Sequence, residues 1–380
     1  MKPLRIAFIT PFYPLKGGIA RFSGLFKNAL RARGYDVVPV AFQALYPEFI
    51  SKGAVDGAKI LDAVYSAEIP LVLYNPFSWF QAIRYIKLMK PDILLAAYWT
   101  GLLAPLYYMM RRLTGIKMVV LLHNFSSHES FFFDPFMRRL LAAFADGFLT
   151  LSNAVSQEVK AAVPETHVLP LFHPTYEPEK EIPSRRYARR ELNLDEGCPV
   201  LLFFGYVRAY KGLDIILRSM PAILQKEPSL RLVVAGQFID DHYITKRLIQ
   251  QLGIGSSVDM YPGYVSSERS ALLFGAADAV VLPYRHATQS GVVQLSYGYK
   301  LPVIVTPAGA LPEMVRHGET GWIARDCTPE AFATAVGEFL ETRKDLTAVR
   351  SAIETFRKDY SWEDFAAAAG SFLEQESFRR

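Results

Sequence analysis

Arg208 and Lys211 lie three residues apart in the glycine-bounded run Gly205-Tyr206-Val207-Arg208-Ala209-Tyr210-Lys211-Gly212. Arg presents a planar fork and Lys a compact charge, so this pair in a strand-to-helix loop can grip one pyrophosphate. A basic loop in solvent is the plainer reading. A second polar loop, Ala287-Thr288-Gln289-Ser290-Gly291, precedes a segment of helical character, Val292 to Tyr299. A helix N-terminus offers free N–H groups and the positive end of the helix dipole, which suit a phosphate or another anion. An ordinary connection competes with that reading. Near the N-terminus, Lys16-Gly17-Gly18-Ile19 puts glycine where a backbone either approaches a ligand or simply turns. It is not the three-glycine dinucleotide fingerprint, and no Walker Gly-Lys-Ser/Thr occurs. His123-Asn124-Phe125-Ser126-Ser127-His128-Glu129 follows an apolar run. A histidine at a strand's carboxyl end can bond a hydroxyl or move a proton near neutral pH, although a satisfied structural histidine is the usual case.

Short apolar runs must position these loops. Strands are expected over Arg5–Thr10, Asp36–Val40, Leu71–Tyr74, Ile93–Ala97, Met118–Leu122 and Gly147–Leu151. Between the first two, Phe22, Leu25, Phe26, Ala29 and Leu30 recur at helical spacing, and Gly34 follows as a helix stop. Residues 173–196 break the alternation with Pro174, Pro178 and Pro183 among charges, and read as a linker. The pattern then restarts with strands over Val200–Phe204, Arg231–Ala235, Val258–Tyr261, Ala279–Leu282 and Pro302–Thr306. Continuous apolar strands alternating with amphipathic helices imply parallel sheets covered on both faces. The expectation is two doubly wound Rossmann-like α/β domains, 1–172 and 197–357, and a final helical segment, 358–380. Ligands of such sheets bind beyond the carboxyl ends of the strands, so a site in a cleft between the domains is expected.

The 380 residues are too many for one typical domain, and half are hydrophobic, enough for two cores. The net charge of +5 suits an anionic ligand or membrane surface, without the long Lys/Arg runs of a nucleic-acid arm. Cys198 and Cys327 form no metal-ligand spacing and no disulfide framework, so a reducing cytoplasm is expected. The N-terminal apolar run is too short for a signal peptide. Ile93 to Met110 carries no charge and reaches the lower limit for a spanning helix, about 18 residues. Thr100-Gly101 and Pro105 interrupt it, and a buried strand running into a helix is the preferred reading. Arg84, Lys87 and Lys90 among Trp79, Phe80, Tyr85, Ile86 and Met89, with Arg111, Arg112 and Lys117 further on, raise peripheral contact with anionic lipid. A solvated helix face explains them nearly as well.

Taken together, the motifs resemble the retaining glycosyltransferases of family GT4, which have the GT-B fold. Gly17-Gly18-Ile19, His123-Asn124 with His128-Glu129, Gly205-x-x-Arg208-x-x-Lys211-Gly212, Ala235-Gly236, Thr288-Gln289-Ser290-Gly291-Val292 and Pro302-Val303-Ile304-Val305-Thr306 occur in the family's order along nearly the whole chain. The set looks like a bacterial branch that builds surface polysaccharides or glycolipids. The resemblance implies that Arg208 and Lys211 neutralise a diphosphate leaving group, and that Ser290, Gly291 and Val292 hold a phosphate at a helix N-terminus. It further implies that Gly18 approaches the donor phosphates or the acceptor side. Gly236, Tyr264 and Val265 would line the base and ribose, and His123 would touch the transferred sugar, with Asn124 beside it. Such relatives retain configuration by same-face attack, in which the departing phosphate accepts the acceptor's proton. The implied donor is a UDP- or GDP-sugar and the implied acceptor a saccharide or polyprenyl-linked molecule. Neither a cofactor nor a metal is expected, because cations and a helix dipole can stabilise the departing charge. The C-terminal helix would return to the first domain.

The chain departs from the family at one place. Many relatives carry two glutamates with seven residues between them in the second polar loop and its helix. Here the equivalent positions are Ala287 and Leu295, or His286 and Gln294 with a one-residue shift. Thr288, Gln289 and Gln294 are the neutral groups available to read a donor sugar instead. The missing acids motivate an alternative from another class, a non-catalytic nucleotide-sugar-binding protein of the same fold.

Overall fold

The computed structural model describes residues 2–13, 15, 17–45, 71–125, 134–239 and 242–375. Lys16, His128 and Glu129, singled out above, lie outside these. The chain divides into two compact units, Met1–Phe172 with Trp362–Arg380, and His173–Ser361.

Unit 1 opens with β1 (Arg5–Thr10), α1 (Gly18–Ala32), β2 (Asp36–Ala44) and β3 (Leu71–Val72). Then come α2 (Pro76–Met89), β4 (Ile93–Tyr98), α3 (Ala104–Thr114), β5 (Met118–Leu122) and α4 (Asp134–Phe144). It continues with β6 (Gly147–Thr150), α5 (Asn153–Ala162) and β7 (His167–Pro170). The sheet is parallel, in the order β3-β2-β1-β4-β5-β6-β7. Strands β4 and β5 are buried at every position, which is why their sequences are continuously apolar.

The uncharged run Ile93–Met110 splits into β4, a 3₁₀ turn at Gly101–Leu103 and the start of α3. Pro105 sits in the first turn of α3, where no N–H is needed, and Gly115 ends the helix in the left-handed region. Among the described residues no helix is long and apolar enough to cross a membrane. The surface of α2 also differs from the sequence reading: Ile86 is buried, and the Trp79 indole donates to the carbonyls of Val72 and Leu73. Its exposed stripe is instead Phe77, Phe80 and Arg84, three and four residues apart, followed by Lys87 and Leu88, three and four residues beyond Arg84.

Unit 2 begins with α6 (Arg185–Glu191), β8 (Val200–Phe204), α7 (Leu213–Lys226), β9 (Arg231–Gly236) and α8 (His242–Gln251). Next are β10 (Val258–Pro262), α9 (Ser267–Ala276), β11 (Ala279–Leu282), α10 (Gly291–Gly298), β12 (Val303–Val305) and β13 (Gly321–Ile323). It closes with α11 (Pro329–Thr342) and α12 (Thr347–Asp359). Its parallel sheet runs β10-β9-β8-β11-β12-β13, so the order reverses between β8 and β11.

Residues 173–196 are not a bare linker but part of this core. Arg189 on α6 is fully buried, donating to the carbonyls of Asp195, Cys198 and Ala276 and pairing with Asp278 at 3.0 Å. Prolines conceal such a helix in the sequence because they mark breaks locally, whereas its reason for forming is a distant buried carboxylate. The last helix, α13 (Trp362–Leu373), belongs to unit 1. Phe365 packs edge-on against Phe22 and Phe26 of α1, with centroids 5.6 and 4.8 Å away.

Candidate functional site

In unit 2 the loops leaving β8 and β11 are joined at the point where strand order reverses. Arg285 donates its main-chain N–H to the Tyr210 carbonyl at 2.7 Å and its Nη1 to the Ala209 carbonyl at 3.0 Å. Its guanidinium also grips Asp214 through two bonds of 2.8 and 2.6 Å. Gly212 has φ of 64°, and a Cβ there would stand 1.9 Å from the Pro283 carbonyl oxygen. The two chains therefore cross in direct contact.

This crossing fixes Lys211. Lys211 is the last residue of a 3₁₀ turn, Ala209–Lys211, and its Nζ lies 5.3 Å from the centre of the Tyr284 ring. Only 9% of Lys211 is exposed, and burial first, then the charge of Arg208, pull its pKa down. Among the described residues no carboxylate lies within ion-pair distance of it. An ammonium desolvated without a counter-charge is unfavourable unless an anion completes the site. Arg208 is half-buried in extended backbone at the start of the same turn.

On the other side of the crossing, Ser290 occupies the N-cap of α10 without capping it. Its hydroxyl bonds the buried phenol of Tyr284, which burial holds above its ordinary pKa and hence protonated. The first N–H groups of α10, from Gly291 and Val292, are thus not satisfied by the side chain that usually serves them. Gln294, one turn into α10, is fully buried, and neither of its amide atoms has a hydrogen-bond partner among the described residues. The Oε1 of Gln289 is likewise buried without a partner, and Thr288 beside it is half-buried.

Gly236 stands at the end of β9 for a reason the sequence reading did not contain. With φ of 147°, a Cβ there would be 1.7 Å from the Gly205 carbonyl oxygen. It lets the β8 loop cross β9, a crossing secured by Gly205 N–H to the Ala235 carbonyl at 3.0 Å and Val207 N–H to the Gln237 carbonyl at 2.8 Å. Gly263 N–H reaches the Gly236 carbonyl at 3.0 Å and leads into Tyr264, which is 57% exposed, and half-buried Val265. Arg208, Lys211, Gly236, Tyr264, Val265, the loop Thr288 to Val292 and Gln294 thus all lie at the carboxyl ends of β8, β9, β10 and β11.

Gly18, His123 and Asn124 belong to unit 1. Gly18 opens α1, and a Cβ there would meet nothing within 4 Å. His123 follows β5, is 3% exposed, donates its main-chain N–H to the Tyr98 carbonyl and stands edge-on to Phe22 at 5.0 Å. Asn124 is half-buried.

His173 and Tyr176 were absent from the sequence reading. A Cβ on Gly291 would stand 3.6 Å from the Nε2 of His173 and 3.5 Å from a ring carbon of Tyr176. A lone His-Pro step in a proline-rich stretch gives no periodicity or motif by which to find them.

Two parallel Rossmann-like units with these topologies define a GT-B architecture. The chain belongs to the family 4 glycosyltransferases: the profile described as "Glycosyltransferase Family 4" matches residues 16–173, and "Glycosyl transferases group 1" matches residues 184–356. A D-inositol 3-phosphate glycosyltransferase of Streptomyces griseus subsp. griseus is 30% identical over 193 residues, 48% of this chain and 40% of that protein. The chain therefore aligns to less than half the length of that relative. Among solved structures, sucrose-phosphate synthase from Thermosynechococcus elongatus superposes with a TM-score of 0.75 at 17% identity, covering 98% of each chain. Anabaena HepE, solved in complex with UDP and glucose, superposes with a TM-score of 0.74 at 15% identity, covering 98% of this chain and 100% of that one.

Proposed function

We propose that the protein transfers a sugar from a nucleoside-diphosphate sugar, UDP- or GDP-linked, to a saccharide or polyprenyl-linked acceptor, with retention of configuration. The observation that carries this reading is Lys211, a buried ammonium with no carboxylate within ion-pair distance among the described residues, beside Arg208 and a helix N-terminus its own N-cap leaves open. Cleavage of the anomeric C–O bond throws negative charge onto the departing diphosphate, and preorganised cations and N–H groups aimed at that charge lower the barrier. The departing phosphate oxygen takes the proton of the attacking hydroxyl on the same face of the sugar. His123 and Asn124 contact the transferred sugar, with Gly18 near the donor phosphates or the acceptor. Tyr264 and Val265 line the nucleotide. Gln289, Gln294 and Thr288 read sugar hydroxyls, since the buried amide of Gln294 and the buried Oε1 of Gln289, without partners among the described residues, match groups that both donate and accept.

A thermal-shift screen against UDP, GDP, ADP and their sugars tests the donor assignment, because a ligand at a hundred times its Kd stabilises by about 2.7 kcal/mol. No shift with any of them would remove it. Binding without turnover across a broad donor and acceptor panel would favour the non-catalytic alternative. Gly291→Ala supplies a sharper arm. The new methyl meets the protein only at ordinary contact distances, so Tm is expected to hold. It stands beside the open N–H groups, so nucleotide affinity is expected to fall about tenfold or more, measured by calorimetry.

The exposed stripe of α2 supports a second part of the proposal, peripheral attachment to an anionic membrane from the cytoplasmic side, in cell-surface polysaccharide or glycolipid synthesis. Phe77 is 82% and Leu88 78% exposed, on the side that carries Arg84 and Lys87. Aromatic and basic residues on one helix face suit the headgroup region of anionic lipid. Vesicles containing phosphatidylglycerol are expected to sediment the protein, less so at high salt, and Phe77→Ser with Leu88→Ser to abolish it. Cosedimentation indifferent to lipid charge, salt and both substitutions counts against membrane contact.

A further inference from the structure

Residues 173–178 run along α10 on a single stripe, Gly291, Gln294 and Gly298, whose members are three and four apart and so share a face. Tyr176 donates its main-chain N–H to the Gln294 carbonyl at 3.5 Å, and a Cβ at Gly298 would lie 1.9 Å from the Tyr176 carbonyl oxygen. Glycine at 298 thus permits the close approach, and the approach in turn fixes the rotation of the helix. The same segment is tied elsewhere by Thr175, whose N–H reaches the Tyr360 carbonyl at 3.0 Å. At the helix's N-terminal end, this segment meets Gly291 with two side chains, His173 and Tyr176.

The imidazole is oriented twice. Its Nδ1 lies 3.0 Å from the Pro174 carbonyl, which can only accept, so Nδ1 carries the hydrogen. Nε2 then holds the lone pair and accepts from the Tyr176 hydroxyl at 3.4 Å. Burial lowers the pKa of His173 to about 4, so the ring stays neutral at physiological pH. A neutral ring matters here, because an imidazolium would oppose the positive end of the helix dipole and compete with Lys211 for the incoming anion. Gln294, on the same stripe, tilts from its Cα toward the N-terminus, as helical side chains do, and its buried amide has no partner among the described residues. A polar group left in that condition at this end of α10 is an independent sign that a ligand completes the site.

We propose that His173 and Tyr176 are positioning residues for the donor diphosphate: through the imidazole Nε2 they set Gly291, and with it the first N–H groups of α10. The inference rests on the reading of this helix terminus as the diphosphate site. Ser290, whose hydroxyl is taken by Tyr284, cannot do this from the N-cap. The task falls to a ring that backs the helix without capping it.

Calorimetry with UDP and GDP, alongside donor-hydrolysis kinetics, tests this on the full chain. His173→Phe keeps a buried ring and removes both nitrogens. It is expected to weaken nucleoside-diphosphate binding about tenfold and raise the donor KM, with kcat within about twofold. Glutamine can place an amide where Nε2 stands and asparagine where Nδ1 stands. His173→Gln is therefore expected to recover most of the affinity and His173→Asn little, at equal Tm. Should His173→Phe fail to fold, Tyr176→Phe removes only the hydroxyl on Nε2 and is expected to weaken binding about threefold or more. Wild-type affinity in His173→Phe or in Tyr176→Phe, or losses in all variants that simply track Tm, would overturn the proposal. A wild-type protein that binds neither UDP nor GDP is a different failure, since it removes the diphosphate site itself.

Discussion

Lys211→Met is expected to lower turnover by about 10²–10³-fold while leaving Tm equal to or above that of the wild type. The two effects have opposite signs for one physical reason. Without ligand, the Lys211 ammonium is desolvated beside two crossing loops and has no carboxylate among the described residues within ion-pair distance, so the folded chain bears its burial cost. Methionine fills a similar volume with no charge and relieves that cost. On the proposed reading the same ammonium faces the charge that develops on the leaving diphosphate, where low dielectric makes it effective. Lys211→Arg keeps the charge but not the fit, and is expected to fall between the two. Initial rates with the donor found by thermal shift, together with melting curves, measure both quantities. Undiminished turnover in Lys211→Met would sink the phosphate assignment. A large loss of Tm would show that Lys211 serves the fold.

Asp278→Ala is expected to be the most destabilising of these substitutions, by about 3–5 kcal/mol. Asp278 is buried immediately before β11, where it accepts the Val200 N–H at 2.9 Å. It pairs with Arg189 at 3.0 Å and Arg185 at 2.5 Å, with Arg343 at 3.5 Å. Removing it leaves the fully buried Arg189 guanidinium with main-chain carbonyls but no counter-charge. Truncation thus costs more than the pair contributes. The double variant Arg189→Met/Asp278→Leu removes both charges and is expected to recover a substantial part of the loss, which a double-mutant cycle on the unit 2 melting transition measures. Strictly additive losses would mean that the ion pair is not the source of the effect.

Much of the architecture was legible before the structure. The strand runs Arg5–Thr10, Met118–Leu122, Val200–Phe204 and Ala279–Leu282 appear with the expected limits, because a strand buried on both faces must be apolar throughout. The interruption of the run Ile93–Met110 was also readable, since Gly101 and Pro105 act through their own backbone. Arg208, Lys211 and the loop Thr288 to Val292 stood out as candidates because the anion proposed for them demands charge, glycine and a helix start close together in sequence.

What stayed hidden depends on neighbours far along the chain. Gly236 carries no sign that a carbonyl from Gly205 crosses it, nor Gly298 that Tyr176 does. Arg189 looks like one more surface cation among Arg185, Arg186 and Arg190, yet it alone lies fully buried against Asp278. His173, in a stretch read as linker, backs the helix on which the proposed chemistry depends.

The sequence by itself determined the family, the two parallel sheets and the residue types of the proposed anion site, because hydrophobic periodicity and loop chemistry are local properties. Tertiary structure alone decided which lysine is stripped of water and counter-charge, which glycines are contacts and which histidine stands behind Gly291. Desolvation and close approach are set by atoms that only folding brings within a few ångströms.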